Sequence, residues 1–383
     1  MIEVADAMTQ REPAGWERCG GKSAEPAAQA WTVGGDGGKT LVTVCEAGGL
    51  HGCAICPDEC DLPAEASAGI FLPRREPPGD FVRRNVPMDI RNLKGSIVAL
   101  VTPFHADGSV NFEKLKELTE WHIASGTDAI LALGTTGESS TMTHEEDDEV
   151  LRCVIGAAAG RVPVIAGTGS NSTQTMLEKS LRAEKLGAGG LLLITPYYNK
   201  GNQEGICRHF LTVADAVKIP CILYNVPGRT GCSISVESVE RLSKHPNICG
   251  IKEASGDLSY AMKIAHCIGP DFALWCGNDD ITIPLLSIGG SGVISVWANI
   301  MPRECHEMVT DYLEGRREQA AATAVKYLDL MNGLFMEVNP IPVKTALNLM
   351  GKDVGPFRLP LCEMTEAHRA QLHALLRKAK VAK

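Results

Sequence analysis

Lys252 stands where a side chain can do chemistry. The apolar run 248–251 reads Ile-Cys-Gly-Ile and then delivers an amine to its own end, where a charge is costly because apolar surroundings disfavour the protonated form. An amine that gives up its proton there attacks ketones, so Lys252 reads as a Schiff-base nucleophile. Taken alone, a lysine in such a place pairs with a carboxylate or reaches solvent about as often. Tyr224 ends the preceding apolar run, 221–224, and its phenol could pass protons beside the amine. A single tyrosine at a strand end is more often packing. Arg229 lies five residues on in a Pro/Gly turn, where its fork of donors suits a carboxylate, against the surface ion pair that an isolated arginine usually makes. Glu253 faces the opposite side of a period-2 strand from Lys252 and reads as structural.

The other run ends are rich in hydroxyls: Thr102-Pro103, Gly134-Thr135-Thr136-Gly137-Glu138-Ser139, Gly167-Thr168-Gly169 and Thr195-Pro196-Tyr197-Tyr198-Asn199. They hold no His/Cys/Asp cluster at metal-ligand spacing, which argues against a metal-dependent reaction. The segment 134–137 lacks both a Walker lysine and the G-x-G-x-x-G spacing of a dinucleotide site, so its amides and hydroxyls suit a carboxylate instead. If Lys252 forms an imine, the protonated imine is itself the electron sink and no cofactor is called for.

The elements that must position these residues are eight short apolar runs: 96–101, 129–133, 162–166, 190–194, 221–224, 248–251, 272–275 and 292–296. They recur about every 28 residues on average, the length of one strand, one helix and two loops. Several are apolar throughout, as strands buried on both faces are. The pattern predicts a (β/α)8 TIM barrel over residues 88–305, with a doubly wound open sheet as the alternative. A barrel places chemistry at the C-terminal ends of its strands. Segments 305–313, 317–331 and 366–378 read as helices, forming a C-terminal helical region over 306–383.

Composition narrows the class further. The 383 residues are 44% hydrophobic and 22% charged, as in a globular chain, and no stretch approaches the roughly 18 apolar residues of a membrane helix. With 37 Lys+Arg against 46 Asp+Glu, the net charge of −9 provides no basic field for nucleic acid or anionic lipid. Fourteen cysteines without a signal-peptide segment fit reduced thiols in the cytoplasm. Residues 1–87 differ in texture, being Gly/Pro/Ala-rich without period 2 or 3.6, so little fold is expected. Their 13 acidic residues against 8 basic ones argue against an organellar transit peptide. His51, Cys53, Cys56 and Cys60 contain a C-x2-C half-site for zinc, but all four crowd into ten residues with no second half-site. The favoured reading is an unstructured extension, or a native start at Met88.

Taken together, GTTGES, TPYYNKGNQEG, YNVPGRTG, GIKEASG and GVISVWAN, in this order, strongly resemble the dihydrodipicolinate synthase family of pyruvate-dependent aldolases, from about residue 94 to the end. The resemblance implies a barrel with C-terminal helices, a homotetramer built as a dimer of dimers, and condensation of pyruvate with L-aspartate 4-semialdehyde in diaminopimelate and lysine biosynthesis. It implies that Lys252 forms the imine and that Tyr224, Thr135 and Tyr198 relay protons, Tyr198 entering a neighbouring subunit's site. Thr136 then contacts the pyruvate carboxylate, Arg229 the carboxylate of the semialdehyde, and Gly277 and Ile294 line the site through their backbone. A lysine effector site is implied near Ser139, Ser140, His144, Asp147, Asn171, Thr175 and Tyr197. Thr175 stands where sensitive relatives carry an acid for the ligand ammonium, and Asp147 where they carry a histidine, so weak or absent feedback inhibition is expected. The rivals are an N-acetylneuraminate or sugar-acid lyase, which generally lacks an arginine at the Arg229 position, and a non-catalytic keto-acid-binding paralogue, against which intact Lys252, Tyr224 and Thr135 speak.

Overall fold

The computed structural model describes residues 90–382 together with two N-terminal strands. Eight parallel strands close into a barrel: β1 (Gly95–Ala99), β2 (Ala129–Ala132), β3 (Val164–Gly167), β4 (Gly190–Ile194), β5 (Cys221–Asn225), β6 (Ile248–Glu253), β7 (Ala273–Cys276) and β8 (Gly292–Ser295), each beside its successor and β8 against β1. The closure follows from the strand composition. Along β1, Ile97 and Ala99 belong to the packed barrel interior with Leu131, Ile165, Leu192, Ile222, Trp275 and Ile294. The alternating neighbours Val98, Ile130, Val164, Leu191, Leu223 and Val293 pack outward among the helices. With both faces buried, every second residue cannot be polar, which explains the continuous apolar runs. Each large aliphatic side chain taken from water this way contributes about 1.5–3 kcal/mol before entropy is counted.

The connecting helices are amphipathic and locally encoded. Helices α1 (Phe112–Ala124), α2 (His144–Ala158), α3 (Thr173–Leu186) and α4 (Gln203–Ala216) follow β1 to β4. Thr143 and Glu146 form a reciprocal capping box at the start of α2, and Ser172 caps α3, which ends at left-handed Gly187. The short α5 (Pro227–Thr230) carries Arg229 directly after β5, ahead of α6 (Val236–Leu242). Then come α7 (Leu258–Ile264), α8 (Thr282–Ser287), α9 (Pro302–Leu313), α10 (Arg317–Gly333), α11 (Ile341–Leu349) and α12 (Glu366–Lys378). The boundary expected between residues 305 and 306 falls inside α9, which packs against β1.

One helix escaped the sequence reading. In α11, Ile341, Pro342, Val343, Lys344, Thr345, Ala346 and Leu347 are all buried, so the segment has no polar face and no amphipathic period to detect. Described by itself, the N-terminal unit contains an antiparallel pair, Gln29–Gly35 with Gly38–Val44; the rest of residues 1–87, read from sequence as an extension with little fold, lies outside the described residues. His51, Cys53, Cys56 and Cys60 lie outside the described residues. Among the described residues, no helix is long and apolar enough to cross a membrane.

Candidate active site

Strand pairing sets the geometry at the C-terminal mouth of the barrel. Tyr224 on β5 and Lys252 on β6 are direct register partners, and because neighbouring parallel strands run less than 5 Å apart, their side chains meet. The Lys252 Nζ lies 4.5 Å from the centroid of the Tyr224 ring. Lys252 is 5% exposed, and burial draws its pKa down to about 8, with a nearby Asp279 carboxylate opposing the shift and Arg229 adding to it. Burial also pushes the Tyr224 phenol up to about 12, so it stays protonated and available as a donor. Glu253 turns away as expected, accepting from Asn225 Nδ2 at 2.7 Å and from the Ser255 amide at 2.6 Å.

A cavity of about 180 Å³ lies over the amine, lined by Thr135, Thr136, Tyr224, Arg229, Lys252, Gly277 and Asn339 among others. Gly277 is there for space: a Cβ would stand 2.5 Å from the Ala254 Cβ and 3.0 Å from the Lys252 Cε. Thr136 Oγ1 accepts from Asn339 Nδ2 at 2.9 Å, which leaves the threonine's own proton to donate to a ligand. Arg229 donates to the Asn339 carbonyl at 3.3 Å and keeps other donors for the cavity. Ile294 is fully buried in the barrel interior, among neither this cavity's lining nor that of the next. Tyr198 is 90% exposed, at a left-handed φ of 68°, and lines neither this cavity nor the next.

A second cavity of about 300 Å³ shares the walls Gly134, Thr135, Tyr224 and Arg229 and continues to Ser139, Ser140, Lys179 and Tyr197. Of the expected effector residues, Ser139, Ser140 and Tyr197 line it, whereas His144, Asn171 and Thr175 do not. His144 Nδ1 instead meets Arg182 at 2.8 Å, and the Asn171 carbonyl accepts from Asn199. Asp147 is buried and engaged: Lys179 Nζ lies 2.9 Å from its Oδ2, to which Ser139 also donates at 3.2 Å. Lys179 in turn donates to Ser139 Oγ at 3.0 Å.

Sequence reasoning passed over Asp279, Lys179 and Asn339. Asp279 Oδ2 accepts the amides of Val296 at 3.1 Å and Trp297 at 2.9 Å, so it ties the end of β7 to the end of β8. Burial holds its carboxyl above the usual range against those hydrogen bonds. Its position just beyond β7 was a signal, since strand ends carry the chemistry of a barrel. Lys179 and Asn339 sit in a helix and a helix connection, and nothing local marks them.

The arrangement joins a buried amine of lowered pKa, a protonated phenol and hydroxyl donors with one arginine at the cavity, a set that suits imine chemistry on an anionic keto acid. Comparison with known proteins points the same way. The sequence model described as the Dihydrodipicolinate synthetase family matches residues 92–379. The chain is 53% identical over 287 residues to a 4-hydroxy-tetrahydrodipicolinate synthase of Thermoanaerobacter sp. (strain X514), covering 75% of this chain and 96% of that one. It is 52% identical over 285 residues to the synthase of Geobacter metallireducens, covering 74% and 98%. Among solved structures, it is similar to dihydrodipicolinate synthase from Aquifex aeolicus, at 44% identity and a TM-score of 0.74 over 76% of this chain and 99% of that one. The chloride-inhibited synthase from Acinetobacter baumannii complexed with pyruvate matches with the same identity, score and coverage.

Proposed function

The chain belongs to the dihydrodipicolinate synthetase family, and from that premise we propose that it is a lyase condensing pyruvate with L-aspartate 4-semialdehyde through a Schiff base on Lys252. The observation that carries this reading is the Lys252 amine, buried beside Tyr224 at a strand end with its pKa drawn down to about 8. The neutral Nζ attacks the pyruvate ketone and water leaves, giving a protonated imine. That cation acidifies the methyl group, which loses a proton to form an enamine, and the enamine carbon attacks the aldehyde of the second substrate. The amino group of the semialdehyde then attacks the imine carbon and displaces Lys252, closing the ring as 4-hydroxy-tetrahydrodipicolinate. One water is released overall.

Each step moves a proton, and the protonated Tyr224 phenol and the Thr135 hydroxyl are the groups at hand to carry it. Thr136 donates to the pyruvate carboxylate, while Arg229 meets the carboxylate of the semialdehyde as a charge-assisted contact. Gly277 leaves room for the lysine stem. Tyr198, exposed on its own chain, completes the relay in the site of a neighbouring copy, within a homotetramer working in the cytoplasm.

The test is borohydride reduction in the presence of pyruvate, followed by peptide mapping. A reduced adduct on the Lys252 peptide is expected, and its absence, or an adduct on another lysine, overturns the reading. Lys252→Arg is expected to fold and trap nothing, because arginine stays protonated. Efficient cleavage of N-acetylneuraminate in place of condensation would move the chain to the lyases of that sugar acid.

A further inference from the structure

We propose that Lys344 is a positioning residue for the condensation: its ammonium, buried against Glu138, holds the turn 134–139 so that the Thr135 and Thr136 hydroxyls stay at the Lys252 cavity. The proposal rests on the roles assigned above to Lys252 and the two threonines.

Lys344 is the one charged residue of a helix buried along most of its length, α11. Its side chain and that of Glu138 are both fully buried, with Nζ 2.7 Å from Glu138 Oε1. The ammonium also donates to the Pro356 carbonyl at 2.7 Å and packs over the rings of Phe104 and Phe357, 4.3 and 5.2 Å from their centroids. Taking two ions fully out of water is costly, and apolar pairs of similar volume often serve stability as well or better. What the ionic pair adds is direction, since a charge-assisted hydrogen bond fixes where the carboxylate points.

The backbone at Glu138 needs such a hold. Its φ of 55° lies in the left-handed region, which a non-glycine residue adopts only when its surroundings impose it. Glu138 stands where the single turn Thr135–Gly137 hands over to Ser139–Thr141. On the catalytic side of that joint, Thr102 Oγ1 donates to the Gly137 carbonyl at 2.6 Å and Asn339 Nδ2 to Thr136 Oγ1 at 2.9 Å. The C-terminal region therefore grips the turn at two residues, through Asn339 at Thr136 and, at Glu138, through Lys344 on Oε1 with the Arg358 amide 3.5 Å from Oε2. Slackening the second grip lets residue 138 leave the left-handed region, and the threonine hydroxyls rotate with it.

The experiment compares Glu138→Gln/Lys344→Met, a neutral pair of nearly the same volume, with the unaltered full chain by melting, steady-state kinetics and borohydride trapping. A folded variant is expected to show a pyruvate KM raised about tenfold, the scale of one misplaced hydrogen bond, with full trapping at saturating pyruvate. The KM for the semialdehyde should hold within about twofold, because its contact lies on Arg229. Adding Thr136→Val should cost less in that background than in the unaltered chain, as for residues acting through one contact. An unchanged pyruvate KM, or strict additivity, overturns the proposal. Glu138→Gln alone retains an acceptor for Lys344 and is expected to recover part of the lost affinity. Should the double variant not fold, the single variant decides on the same KM, and failure of both to fold marks the pair as purely structural and overturns the proposal. Absence of trapping in the unaltered protein sinks the Schiff-base reading instead.

Discussion

With its pKa drawn down to about 8 by burial, Lys252 offers about one neutral amine in ten at pH 7, where an ordinary lysine offers about one in three thousand. The neutral form is the nucleophile, so the rate of imine formation should climb with pH up to about 8 and level off above it. Asp279 opposes the shift by favouring the ammonium. Asp279→Asn removes that negative charge and is expected to move the rising limb to lower pH, read from rapid-quench trapping across pH 6 to 9. An upward move would mean that the carboxylate does not act on the amine. Lys252 and Tyr224 could be read from sequence because each ends an apolar run. Asp279 follows a run end too, yet its influence travels through space from β7 to β6, and no spacing of residues encodes a field.

Between helices α2 and α3 the chain builds an ion pair of its own, Lys179 with Asp147. The family resemblance implies an effector site here, with Thr175 standing where sensitive relatives carry an acid. Asp147, the remaining acid, already holds Lys179, so a cationic effector would meet a lysine of the protein itself. Submillimolar L-lysine is therefore expected to leave the coupled rate with pyruvate and aspartate semialdehyde unchanged, and strong inhibition would refute this. Lys179→Met frees Asp147 and is expected to increase any inhibition by L-lysine. Elements whose sequence period matches their burial were legible, and all eight strands lie within two residues of the runs read from sequence. Helix α11 was not, because it is enclosed on every side and its pattern therefore shows no face.

At the scale of the whole molecule, exposed Tyr198 is assigned to the site of a neighbouring copy, and complementation tests it. Lys252→Arg and Tyr198→Phe chains, each nearly inactive, are unfolded together and reassembled. A mixed dimer then has one site with both residues intact, so equal mixing should restore about a quarter of the unaltered activity. No recovery would place the tyrosine in its own chain's site. A second expectation concerns residues 1–87, which lie outside the family match: their deletion should leave activity and melting temperature nearly unchanged, and loss of activity, or stoichiometric zinc on the full chain, would overturn it. The sequence by itself pointed to the barrel, through eight apolar runs at a regular pitch, and placed the candidate chemistry at its mouth, through the residue types that end those runs. Tertiary structure alone decided that Lys344 reaches Glu138 across 206 positions, that Lys179 claims Asp147, and that Asp279 stands near enough to Lys252 to oppose its shift. The physical reason is one of range. Burial patterns are written in neighbouring residues and survive in the linear order, whereas ion pairs and fields depend on distances that only closing the barrel creates.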